Sequence, residues 1–155
     1  MTNFIIRYLN ITLAAILAGI SLGIWIGFNP MNLSLMAYIE QQQNMLNALR
    51  GLMVLLVMAA TVITIVSAGL QRRNRASFIP LAIAALFFIA CILITRFGNK
   101  PIDDLVMTWT SSSYPSNWTD FRNQWWSFHI MRTVTESIAF LLITAESLKK
   151  NVSVL

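Results

Sequence analysis

A chain of 155 residues that is 57% hydrophobic and 11% charged is too apolar for a soluble domain of its size and points to an integral membrane protein. Its formal net charge of +5 would suit a nucleic-acid partner, but the bases are scattered among long hydrophobic runs, which argues against nucleic acid. A lone cysteine, Cys91, excludes an internal disulfide and a thiolate cluster, and reads as a packed apolar thiol.

Three runs without charge, 11–28, 51–70 and 78–95, are each about as long as a helix needs to cross ~30 Å of hydrocarbon. A fourth, 125–147, is interrupted by His129, Arg132, Glu136 and Glu146, and counts as a span because its charges share a face. The expected fold is all-α, an antiparallel bundle of four transmembrane helices in one membrane domain over 1–155. Helices are expected near 5–28, 33–70, 78–97 and 118–148, with an extended outer segment before the second span and a long third loop at 98–117. Arg7 ahead of an apolar run imitates a secretory signal, but the run is too long and lacks a clean small-x-small cleavage site.

With four spans, Arg7, Arg72, Arg73, Arg75, Lys149 and Lys150 gather at one end, which the positive-inside rule assigns to the cytoplasm together with both termini. Arg50, Arg96, Lys100, Arg122 and Arg132 then fall on or near the outer side, with Glu40, Asp103, Asp104 and Asp120.

In the first helix Ala15, Gly19, Gly23 and Gly27 recur every four residues, the small-residue pattern that lets another backbone approach. Packing inside the bundle is the first reading, and a homo-oligomer through Gly19, Gly23 and Gly27 is the second. Asn29-Pro30 ends this helix, and 31–50 extends the second helix outward, placing Gln43 and Arg50 on one side, either to reach over the mouth of the bundle or as part of a solvated helix end. The basic turn QRRNRAS at 71–77 joins the second and third spans. Pro80 is expected in the first turn of the third helix and Gly98 at its C-cap. The loop that follows is long enough to be functional, and Asn117 with Asp120 forms a plausible N-cap pair for the last helix. Asn117-Trp118-Thr119 also fits a glycosylation sequon, but capping explains Asn117 more economically.

On that last helix, at 100° per residue, Arg122, Trp125, Trp126, His129, Arg132, Thr133, Glu136 and Phe140 fall within an arc of about 120°. Charged side chains in hydrocarbon cost at least ~2.5 kcal/mol each, so this face must meet protein, water or a ligand. Glu136 lies about 15 Å deeper than Trp126, near the bilayer midplane, and is expected either protonated or paired with Arg132 one turn away. Trp109, Trp118, Trp125 and Trp126 cluster toward the outer end, as an interfacial belt or as a platform for a flat ligand. One His and one Cys do not make a metal shell, and no dinucleotide, phosphate-loop or Ser-His-Asp pattern is present, which leaves an unspecific carboxylate-rich site from Glu136 and the aspartates, and axial haem ligation by His129, as cofactor alternatives.

The segments GNKPIDDLVMTW and SNWTDFRNQWWSFHIMRTVTE resemble the family of small four-helix membrane proteins that includes anthrone oxygenases. The marks are Asn99, Pro101 and Ile102, then Trp118, Arg122, Trp125, Trp126, His129 and Arg132, with Asp103 standing where members often have asparagine. The resemblance implies oxygenation of an activated phenolic ring carbon with no metal or other cofactor. His129 would take the substrate proton, and Arg132 and Arg122 would stabilise the anion. Trp125 would stack on the ring, and Asn99 and Lys100 would close the mouth. The catalytic expectation therefore rests on His129, Arg132 and Glu136, and the substrate-binding one on Trp125, Trp126, Arg122, Asn99, Lys100, Asp103 and Trp118. The substrate expected is a lipophilic aromatic compound. The competing reading is a non-catalytic membrane protein that holds a quinone, a lipid or a partner helix on the same face.

Overall fold

The computed structural model describes residues 2–152, with side chains described within 4–149, so the side chain of Lys150 lies outside the described residues. It is all-helical, and four of its helices are long and apolar enough to cross a membrane. Helix α1 spans Thr2–Gly27, α2 Leu35–Leu70, α3 Arg75–Ile94, α4 Lys100–Val106 and α5 Trp118–Val152, with a π-helical turn at Thr95–Asn99 between α3 and α4. Each of α1 and α3 packs against both α2 and α5, so the bundle is four-cornered with α2 and α5 on a diagonal. At 36 residues, α2 is about 54 Å long, well beyond the hydrocarbon thickness, and its outer end begins at Ser34, whose Oγ accepts from the Ala37 amide.

Two boundaries differ from expectation. Asn74 caps α3 by accepting from the Ala76 amide, so the helix starts at Arg75 and Pro80 lies inside it rather than in its first turn. Gly98 is not a C-cap, since no glycine among the described residues has positive φ and the chain continues as helix through the π turn into α4. Pro101 lacks the amide hydrogen that would bond the preceding turn, and the Lys100 amide reaches back five residues to the Thr95 carbonyl. Half of the expected irregular loop is therefore ordered helix.

The inner half of the core is mostly aliphatic, with Ala14, Leu17, Ala60, Ala139 and Ile143 beside Phe88. The outer half is aromatic. Trp109, Trp125 and Trp126 are buried there beside Tyr38, so these rings form a core rather than a belt facing lipid. At the basic end, Arg7 of α1 lies 3.7 Å from the buried Glu146 and donates to the Ser147 carbonyl, tying the first helix to the last. The glycine face of α1 is not packed within the bundle. A Cβ at Gly19, Gly23 or Gly27 would meet nothing within 4 Å.

Candidate functional site

The outer halves of the helices enclose a cavity of about 320 Å³, at the lower end of the size range of small-molecule pockets. One wall is apolar and comes from α2, with Met45, Leu46, Leu49 and Met53. The facing wall carries Lys100 and Asp103 of α4 and Trp125, Arg132 and Glu136 of α5, while Cys91 and Thr95 complete it from α3 and the π turn. Such a chamber, greasy on one side and cationic on the other, suits a flat apolar molecule with an acidic or oxyanionic edge.

Glu136 is 1% exposed and forms no ion pair with Arg132 among the described residues, so of the two expectations for it, protonation or pairing, the pairing is not formed. Instead the Cys91 thiol donates to Glu136 Oε1 at 2.9 Å, and Oε2 makes no hydrogen bond of acceptable geometry, although the Ser21 side chain lies beside the carboxyl group. Cys91 is thus a polar neighbour of the carboxyl group and not merely an apolar filler. Long helical side chains lean toward the helix N-terminus, so Arg132 reaches its neighbour three residues back rather than the one four residues ahead. Its Nε donates to His129 Nδ1 at 3.2 Å, with Nη2 at the same distance.

That contact decides what His129 can do. Arginine only donates, so Nδ1 is the acceptor and the ring proton of neutral His129 sits on Nε2. Nε2 makes no hydrogen bond of acceptable geometry, although the ring lies beside the Ser21 backbone. The imidazole is fully buried, stacked 5.2 Å from Trp125 at 2° and 5.4 Å from Trp126 at 19°, and it does not line the cavity. His129 thus contacts Arg132 and is not among the residues that line the cavity.

Trp125 presents a ring to the cavity and is fixed at two points. Its Nε1 donates to Asp103 Oδ1 at 2.7 Å, and its carbonyl accepts from Asn99 Nδ2 at 3.0 Å. Both partners come from the π turn and α4, which explains why this segment follows the third span directly. Gly98 lets it approach α5, since a Cβ there would stand 2.6–2.8 Å from the Phe128 ring. At the mouth, Arg50 of α2 and Lys100 both pair with Asp104, and Gln43 donates to the carbonyls of Val106 at 2.9 Å and Trp109 at 3.0 Å. Gln43 and Arg50 thus do reach across the bundle, and they pin α4 in place.

Of the residues singled out from sequence, Trp125, Arg132, Glu136, Lys100 and Asp103 line the cavity. His129, Trp126, Asn99, Trp118 and Arg122 do not. Trp118 stacks on Tyr38 at 5.9 Å, with the Arg122 guanidinium 5.1 Å above its ring, so that pair belongs to the outer aromatic core. Sequence reasoning missed Cys91, Thr95 and the α2 wall. Met45, Leu49 and Met53 repeat at helical spacing, but nothing in that pattern separates a cavity wall from ordinary core. No group of three or more His, Cys, Asp and Glu side chains among the described residues could hold a metal ion.

The sequence model of a family described as anthrone oxygenase matches residues 43–142, a stretch that contains the whole polar wall and most of α2. No curated protein and no solved structure matches the chain significantly.

Proposed function

The chain belongs to the anthrone oxygenase family, and from that premise we propose that it is a membrane oxygenase acting on a lipophilic phenolic substrate of the anthrone type. The single observation that carries the reading is the cavity wall on which a carboxyl group, Glu136, held at one oxygen by Cys91, stands beside a cation, Arg132, and an indole face, Trp125.

The chemistry follows from those positions. Trp125 holds the ring of the substrate by stacking, locked in orientation by Asp103 and Asn99. Cys91 keeps one oxygen of the Glu136 carboxyl group occupied, and the other, as carboxylate, takes a proton from the activated methylene carbon. Arg132, steadied by His129, stabilises the enolate oxygen that develops. The resulting electron-rich carbon reacts with dioxygen to a peroxide anion, which takes the proton back from Glu136 to become a hydroperoxide and then loses water to leave a ketone, so that one CH₂ and one O₂ become one C=O and one H₂O. Nothing in this sequence requires a metal or flavin, and the base is Glu136 rather than His129.

Arg7, Arg72, Arg73, Arg75 and Lys149 gather at one end of the spans, which by the positive-inside rule we read as the cytoplasmic end, with the cavity toward the other. The test is oxygen consumption by protein reconstituted in lipid nanodiscs with 1,8-dihydroxyanthrone. Stoichiometric oxygen uptake with formation of the anthraquinone, unaffected by dialysis against chelator, supports the reading. Tight binding of the anthrone or of a quinone without oxygen uptake replaces it with a binding function.

A further inference from the structure

Two residues of the cavity wall are also on the outside of the bundle. Val54 and Met58 of α2 line the cavity and are each 50% exposed, on the surface that the spans present to lipid. They lie one and two turns inward from Arg50, about 6 and 12 Å deeper, and therefore below the polar boundary marked by Arg50, Arg96 and Lys100. Across from them Ile92, one turn inward from Arg96 on the neighbouring α3, lines the same cavity and is only half-buried. The cavity thus has two boundaries with different chemistry. The polar one is flanked by the Asp104 pairs to Arg50 and Lys100, and the apolar one is a seam between α2 and α3 without a single polar side chain among these three residues.

We propose that the seam formed by Val54, Met58 and Ile92 is a lateral portal through which a lipid-dissolved aromatic substrate reaches the cavity from the bilayer, without passing the charged mouth. The inference rests on the oxygenase reading for the identity of the substrate, but the route itself does not. A compound that partitions into the acyl region is concentrated there, and burying its apolar surface again in the cavity requires no passage through water. The unbranched Met58 side chain is suited to yielding as a ring passes.

Cys91 is the sole thiol and lies on the cavity wall, so its modification reports arrival without any need for turnover. In nanodiscs, the apolar benzyl methanethiosulfonate and the charged sulfonatoethyl methanethiosulfonate are compared, each normalised to its rate with a free thiol. The portal predicts that the apolar reagent modifies Cys91 at least tenfold faster. Val54→Phe combined with Met58→Phe should slow that reaction fivefold or more, while Met58→Ala, which widens the seam, should speed it. Equal rates for the two reagents, or a Phe double variant as fast as wild type in correctly folded protein, would each overturn the portal. Failure of oxygen uptake with these labelling results intact would condemn the oxygenase reading alone.

Discussion

Replacing His129 by two different residues separates the roles of tether and base. His129→Phe keeps an aromatic ring beside Trp125 and Trp126 but removes the Nδ1 acceptor that holds Arg132 at 3.2 Å. A hydrogen bond to a charged group contributes about 1.5–3 kcal/mol, so unfolding in detergent should be easier by that amount. His129→Asn does the reverse. Its side-chain oxygen falls near the place of Nδ1 and can accept from Arg132, while two stacked pairs worth about 0.5–1.5 kcal/mol each are lost. Both variants should therefore be destabilised to a similar degree, and thermal unfolding followed by circular dichroism measures it. Turnover should differ sharply: the Asn variant should retain oxygen uptake within about tenfold of wild type, and the Phe variant should fall well below it. Loss of a general base lowers rates by about 10²–10⁴ whatever replaces it. Folded His129→Asn and His129→Phe proteins equally inactive would refute the tether and return the proton to His129.

Trp125→Phe removes the donor to the buried Asp103 carboxyl group and should lower stability by about 1.5–3 kcal/mol, whereas Asp103→Asn, which keeps an acceptor oxygen, should cost less than half as much in the same melt. Gly98→Ala drives a methyl group into the Phe128 ring and should destabilise by about 1–3 kcal/mol; adding Phe128→Leu should recover most of that loss if the close approach of α5 to the π turn is the cause. Cys91→Ala deprives Glu136 Oε1 of its donor and should cost roughly 1 kcal/mol with a lowered kcat, while Cys91→Ser should restore both. Equal behaviour of the Ala and Ser variants would mean that the thiol contributes only packing.

The bundle was legible because three spans are free of charge and the fourth confines its charges to one arc. Those signals follow from the cost of polar groups in hydrocarbon and survive without any knowledge of packing. The site was only half legible. Trp125, Arg132 and Glu136 share a helix face that the 3.6 period reveals, but which of them borders empty space depends on where α2 and α4 come to rest. The tilt of Arg132 toward His129 follows from side-chain direction rather than from spacing, and spacing alone suggested Glu136. The π turn has no mark of its own in Thr95–Asn99, and Gly98 looks the same whether it caps a helix or admits a neighbouring ring. Cys91 gave no polar signal because its partner lies 45 residues away on another helix.

The central claim is that Glu136 removes a proton from the substrate before dioxygen reacts. Its most direct test is the rate of oxygen uptake with 1,8-dihydroxyanthrone in nanodiscs, wild type against Glu136→Gln, a change that preserves shape and the acceptor for Cys91. The account predicts a folded variant that still binds the anthrone, with uptake reduced by about 10²–10⁴. Uptake by Glu136→Gln within a few-fold of wild type would contradict it.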